Sequence, residues 1–366
     1  MDTIPTLPFK QYIHDTMPYR GGGTREETGK KLYKLSSNEN LLGPSPLALE
    51  AIRDNLHTLH EYRFENDQLL REAAAAHNGL LPSQVVTANS GMELLDLICR
   101  GFVEEGSEVI LSSPTFMAYK NFANLSGGSV TDIPLRSPDF SLDVKGIASA
   151  VTDKTRLLFI SNPNNPTGSL IPRKKMDVLM DILPEHVIIV YDEVYYHYVG
   201  SGDYPRAADY INQGRPVIGM HSFSKAYGLG GIRLGYAFST PEIAGYLSHL
   251  RRPFMINTLS TVAGIAALQD TVHIAATQQL VAKEKLFLYR QMDELGLSYW
   301  KSEANFILFK SLGPVAAFVQ RMLDQGVMVR SADVMRAKGC IRVTIGTREA
   351  NEAFIDALKH SMETFL

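Results

Sequence analysis

Between residues 85 and 239 the chain alternates short, unbroken apolar runs with stretches in which apolar residues recur every three or four positions. The runs VVTA (85–88), EVILSS (108–113), RLLFIS (156–161), HVIIVYD (186–192), PVIGMHS (216–222) and LGYAFS (234–239) predict strands covered on both faces. MELLDLICRGF (92–102) and RKKMDVLMDIL (173–183) carry the helical period between them. Such alternation is the signature of an α/β fold with a mostly parallel sheet. After residue 240 the pattern changes to long helices as far as residue 295, then to NFILF (305–309), VMVR (327–330), CIRVTIG (340–346) and a last helix near 349–364. The expected organisation is therefore an arm over 1–34, a large domain over 35–245 and a smaller α+β domain over 246–366. Prolines and the run Gly21, Gly22, Gly23 keep the arm from forming a core of its own, so it should join the small domain or a dimer contact.

Composition narrows the function. Over 366 residues, 45% are hydrophobic and 20% charged, and the net charge is −3, which removes the basic footprint that nucleic-acid binding needs. The two cysteines, Cys99 and Cys340, are far apart, which speaks against a disulfide framework or a cysteine-rich zinc site and fits a reducing compartment. His57 and His60 form the nearest approach to a metal pair and lack a third ligand, so no metal is expected. There is no secretory leader pattern and no apolar run of membrane-spanning length, and the expected location is the cytoplasm.

The unusual residues follow the carboxyl ends of the predicted strands, the edge where open α/β sheets bind ligands. Lys225 lies in SFSKAYGLGGIRLGY, where Ser222, Ser224 and Arg233 can supply hydroxyls and a guanidinium fork for a phosphate. A lysine beside a bound phosphate and an arginine can act as a neutral amine towards an aldehyde. The glycines here do not make a dinucleotide fingerprint, because Arg233 stands where the last glycine is needed. Asp192 closes an apolar strand; it is either a helix cap or a partly buried carboxylate in need of a cationic or hydrogen-bonding partner such as a pyridinium N–H. Tyr195 follows three residues later and could aim at the same ligand. In NPNNPTG (162–168), two prolines stiffen a turn and present Asn165 rigidly.

Taken in order, YRGGG (19–23), LSSNENLLGPSP (35–46), GMELLDLICRGF (91–102), SPTF (113–116), SNPNNPTG (161–168), YDEVYY (191–196), SFSKAYGLGGIRLGY (222–236), ANFILF (304–309), GVMVRS (326–331) and IRVTIGTRE (341–349) carry a resemblance. The chain resembles the fold type I, pyridoxal 5′-phosphate dependent aminotransferases of class I/II, and most of all the histidinol-phosphate aminotransferases. That resemblance implies a seven-stranded, mostly parallel mixed sheet in the large domain. It implies that Lys225 bonds the cofactor aldehyde, Asp192 keeps the pyridine nitrogen protonated, Asn165 and Tyr195 bind the ring oxygen, and Phe116 stacks on the ring. Ser222, Ser224, Arg233 and the backbone amides near Asn89 and Ser90 would hold the cofactor phosphate. Tyr62 would reach the neighbouring subunit's cofactor across a homodimer interface. Arg342 would grip the carboxyl end of the substrate, Arg330 a distal phosphate, and the stretch from Asn38 to Asn40 would line the substrate pocket. Phe116 departs from the tyrosine common in the family, and Leu41 and Arg63 each replace a frequent proline.

The implied activity is transfer of an amino group to 2-oxoglutarate, with histidinol phosphate as donor. Two arginines are more than a single carboxylate demands, which suits a donor carrying a phosphate or an anion at each end. Aromatic amino acids are the nearest rival donors. A decarboxylase on the same fold, or a binding module that has lost catalysis, are further alternatives; the module is disfavoured because Lys225, Asp192 and Arg233 are all present.

Overall fold

The computed structural model describes residues 31–365. The YRGGG segment and most of the expected arm lie outside the described residues. The strands are β1 (Tyr33–Lys34), β2 (Val85–Ala88), β3 (Glu108–Leu111), β4 (Ser129–Asp132), β5 (Thr155–Ser161), β6 (Ile188–Asp192), β7 (Val217–Ser222), β8 (Gly235–Phe238), β9 (Tyr299–Trp300), β10 (Phe306–Lys310), β11 (Val327–Met328), β12 (Arg330–Ser331) and β13 (Cys340–Thr344). Seven of them form one sheet in the order β2-β8-β7-β6-β5-β3-β4. β8 runs antiparallel to both neighbours and every other pairing is parallel, so the expected seven-stranded mixed sheet is present.

Continuous apolar runs become central strands because each face of the sheet has its own core. Leu158, Ile160, Ile189 and Tyr191 pack on one side, and Leu157, Phe159, Val190 and Ile218 on the other, all nearly inaccessible to solvent. Burying each such side chain contributes ~1.5–3 kcal/mol. The helix Gly91–Phe102 covers the second core with Leu94, Leu95 and Ile98, and the helix Arg173–Ile182 covers the first with Met176 and Leu179. The edge strand β4 was not among the predicted ones. Its sequence SVTD carries one apolar residue, and none of its positions is buried, so the period it needs is absent.

The predicted helical stretch after residue 240 is three helices, Pro241–His249, Thr258–Gln269 and Thr271–Glu294, each opened by a side-chain cap from Thr240, Asn257 or Asp270. Beyond them, β12-β13-β10-β9 form a four-stranded sheet. Phe306, Ile307, Phe309, Ile341 and Val343 pack there against Phe318 and Phe354 of the two following helices, Val315–Asp324 and Arg348–Phe365. The run VMVR is not one strand: Val327–Met328 pairs in parallel with β1, whereas Arg330–Ser331 pairs with β13. Through β1 the start of the described chain is stitched to this C-terminal layer, and Leu35 is buried in the same core as Phe306. Among the described residues no helix is long and apolar enough to cross a membrane.

Candidate active site

β2, β3, β5, β6 and β7 point their carboxyl ends to one edge of the large sheet, and antiparallel β8 begins at that edge. A cavity of about 440 Å³ opens there, between this edge and the four-stranded sheet. Ser90, Phe116, Asn165, Asp192, Tyr195, Ser222, Ser224, Lys225 and Arg233 line it from the large sheet; Asn38, Arg330 and Arg342 line it from the other side. Residues scattered over some three hundred positions are thus brought to a single space.

Two glycines allow the loops to close. Gly228 has φ +71°, and a Cβ there would run into the carbonyl of Gly43, so the lysine loop and the loop after Asn38 touch backbone to backbone. Gly168, also at φ +71°, is pressed against Ser302, which fixes the 162–168 turn to the C-terminal layer.

Lys225 forms no ion pair among the described residues; its Nζ donates to the carbonyl of Ser37 at 2.9 Å. Burial lowers its pKa to about 8, the guanidiniums of Arg342 and Arg233 push the same way, and Glu39 and Asp192 oppose them. Asp192 is buried, its Oδ2 accepting from the Tyr119 hydroxyl at 2.6 Å and its Oδ1 from the Val194 amide at 3.0 Å. Burial raises its pKa above the ordinary carboxylate range, against the lowering effect of those two donors.

Arg342 is buried and donates from Nη1 to Asn165 Oδ1 at 2.6 Å and from Nη2 to the Ser36 carbonyl at 2.7 Å. Because a guanidinium only donates, this bond turns the amide of Asn165 so that Nδ2 is its other end. Tyr195 packs edge-on against Phe306 at 5.1 Å, and its hydroxyl accepts from Asn38 Nδ2 at 2.9 Å. Asn38 itself sits at φ 56°, with its amide held by Thr344 Oγ1 at 2.9 Å. Arg233 also has a left-handed backbone, φ 58°, and its Nη1 donates to the Gly230 carbonyl at 2.8 Å. Ser222 Oγ accepts from the Ser224 amide at 3.1 Å.

Three of the expected site residues stand elsewhere. Asn40 is not part of the cavity wall: its Nδ2 donates to the Ala226 carbonyl at 2.8 Å and to Thr277 Oγ1 at 3.0 Å, because the left-handed turn at Asn38 redirects the chain. It braces the residue after Lys225. The amide of Asn89 is already spent on Glu93 Oε2 at 3.0 Å, and the residues of this helix start that border the cavity are Ser90, Gly91 and Met92. Tyr62, expected to serve the neighbouring subunit, is 82% exposed, lies outside its own chain's cavity wall and packs at a tilt on Phe254, ring centroids 4.6 Å apart. Sequence reasoning did not single out Tyr119, Val194, Ser36 or Met335, all of which line the cavity, whereas Glu39, within the expected 38–40 stretch, does line it. The first of these had no signal to find it by, as a tyrosine in an amphipathic helix reads as core.

The sequence profile of the family described as Aminotransferase class I and II matches residues 30–358. The chain is 37% identical over 365 residues to the histidinol-phosphate aminotransferase of Moorella thermoacetica, covering 98% of this chain and 94% of that protein. It is 34% identical to histidinol-phosphate aminotransferase 2 of Carboxydothermus hydrogenoformans, over 97% and 99% of the two chains. The crystal structure of histidinol-phosphate aminotransferase from Sinorhizobium meliloti, in complex with pyridoxal-5′-phosphate, superposes with a TM-score of 0.85 at 28% identity, covering 92% of this chain and 93% of that one. With a matching profile over most of its length, a shared fold and relatives this similar end to end, this chain belongs to the aminotransferases of class I and II.

Proposed function

We propose that this chain transfers the amino group of histidinol phosphate to 2-oxoglutarate, as the names of its relatives suggest. The observation that carries the choice of donor is the pairing of Arg330 with Arg342 as direct register partners on β12 and β13, both bordering the cavity. Like charges opposite each other on one face of a sheet repel, and a doubly charged anion between them removes that penalty. A phosphate monoester and a dicarboxylate both meet the requirement. Met92, Leu95, Phe116, Met117 and Met335 give the rest of the wall an apolar character suited to a flat ring.

Pyridoxal phosphate is the cofactor of this family, and the cavity fits it. Asp192 is a buried carboxylate with two neutral donors and no ion pair among the described residues, which leaves room for a pyridinium N–H. Asn165 offers an oriented amide donor, and the first turn of the helix Gly91–Phe102 presents its amides to an anion. When bound, the cofactor supplies an aldehyde that condenses with amines and a ring that takes up the electron pair left when the bond from Cα to hydrogen breaks.

In this reading Lys225 would hold the cofactor, and its amine would take the proton from the donor's Cα and give it back. Asp192 would keep the proton on the ring nitrogen. Asn165 and Tyr195 would bind the ring oxygen, Phe116 would cover the ring, and Ser222, Ser224, Arg233 and the amides at Ser90, Gly91 and Met92 would hold the phosphate. Arg342 and Arg330 anchor the substrate's anionic groups. A substrate panel with 2-oxoglutarate as acceptor tests the assignment: histidinol phosphate should exceed phenylalanine, tyrosine and leucine in kcat/KM. Arg330→Ala should lower kcat/KM for histidinol phosphate by roughly 10²-fold, the loss of one charge-assisted contact, while changing that for phenylalanine by less than threefold. Equal losses would reject the phosphorylated donor in favour of an aromatic amino acid.

The working unit in this proposal is a homodimer with shared sites. Tyr62, Phe64 and Phe254 are 42–82% exposed, and the rings of Tyr62 and Phe64 both pack on that of Phe254. An apolar cluster of that kind marks a contact surface, and in this reading Tyr62 within it serves a second copy's cofactor phosphate. Sedimentation should show a dimer, and Tyr62→Phe should weaken cofactor affinity about tenfold, the effect of one hydrogen bond to a charged group. Full activity in a monomer would contradict this.

A further inference from the structure

Tyr119 lies on the helix Ala118–Leu125 and is completely buried. Its ring stacks on Phe159 of β5 at 4.9 Å with an interplanar angle of 9°, and it meets Phe116 edge-on at 5.6 Å. The one polar atom of the side chain, its hydroxyl, reaches Asp192 Oδ2 at 2.6 Å. Burial and the neighbouring charge of Asp192 raise the phenol well above its ordinary pKa, so the hydroxyl keeps its proton and donates. The other carboxylate oxygen is held by the Val194 amide. Asp192 is thus gripped on both oxygens by neutral donors. Neutrality matters, because a cationic donor in the place of Tyr119 would compete with a pyridinium for the same charge.

We propose that Tyr119 is a positioning residue that acts through Asp192, fixing the plane of its carboxylate and keeping it ionised against the cofactor's ring nitrogen. This rests on the reading that Asp192 faces that nitrogen. The packing gives the arrangement a further consequence: Phe116, which borders the cavity, and Tyr119 belong to one segment, so the wall against the ring and the support of the ring's counterion are placed together. A weaker donor at position 119 shifts the balance from carboxylate and pyridinium towards a neutral pair. The ring then withdraws fewer electrons, and the nitrogen bonded to its aldehyde carbon becomes more basic.

The test uses the full-length holoenzyme and two spectroscopic readouts: the pH midpoint of the cofactor's visible absorbance band and the cofactor's dissociation constant. Tyr119→Phe retains the ring packing and removes only the donor. It should move the midpoint upward by about half a unit to one unit and weaken cofactor binding about tenfold, the scale of a hydrogen bond to a charged group. In an Asp192→Asn background the same exchange should change affinity less than twofold, because the charge it supports is gone. Replacing Tyr119 with 3-fluorotyrosine, a stronger donor of nearly the same volume, should move the midpoint downward and does not depend on tolerance of a lost hydroxyl. Unchanged midpoints in both variants, or the same tenfold loss in the Asp192→Asn background, would overturn the proposal. Wild-type protein that binds no cofactor at all would instead overturn the reading on which it rests, and the proposal with it.

Discussion

Lys225→Ala is expected to reduce turnover by roughly 10⁴-fold or more, since it removes both the attachment point and the group that moves the proton. Lys34 is the other amine bordering the cavity among the described residues, and its Nζ is engaged with Glu39 at 2.8 Å, so no substitute is at hand. The fold should be unaffected. Nζ makes one hydrogen bond, to Ser37, and its removal takes a group out of the interior whose charge burial already disfavours. Steady-state assays together with thermal melting check both halves. The same amine predicts a pH dependence. Burial holds its pKa near 8 rather than 10.5, so it is protonated and inert below pH 8 and increasingly nucleophilic above it. The rate of cofactor attachment to the apoprotein should therefore rise with pH around a midpoint near 8; a midpoint above 10 would show that the lysine is not held as described.

Asp192→Ala should cost roughly 10³-fold in kcat, ~4 kcal/mol of barrier, because it removes the carboxylate that in this reading keeps the ring nitrogen protonated. KM for the donor should move far less, as the carboxylate's worth is realised in the transition state. The truncation also strands the Tyr119 hydroxyl and the Val194 amide, both of which donate to it, at about 1–3 kcal/mol each in stability. A rise in KM with kcat unchanged would argue that Asp192 serves binding alone.

The sheet was legible where strands are central, because burial on both faces leaves an uninterrupted apolar run such as LLFI in β5. The edge strands β4 and β9 were not: β4 has solvent near every residue, and β9 is two residues long. The split of 327–331 between two sheets was hidden because pairing partners, here Tyr33 and Arg342, lie hundreds and a dozen residues away. In the site, Lys225, Asp192 and Asn165 were visible as polar residues at abrupt strand ends. Asn38 and Asn40 looked equivalent in sequence, and one left-handed residue sends them to different tasks. Tyr119 was invisible because its role depends on a contact across 73 positions, for which helical periodicity holds no trace.

The central claim is that one lysine carries the cofactor. Peptide mass spectrometry of the holoenzyme after borohydride reduction tests it most directly. A pyridoxyl-phosphate adduct on Lys225 and on no other side chain is the predicted result; the adduct on a different residue, or none, would contradict the account.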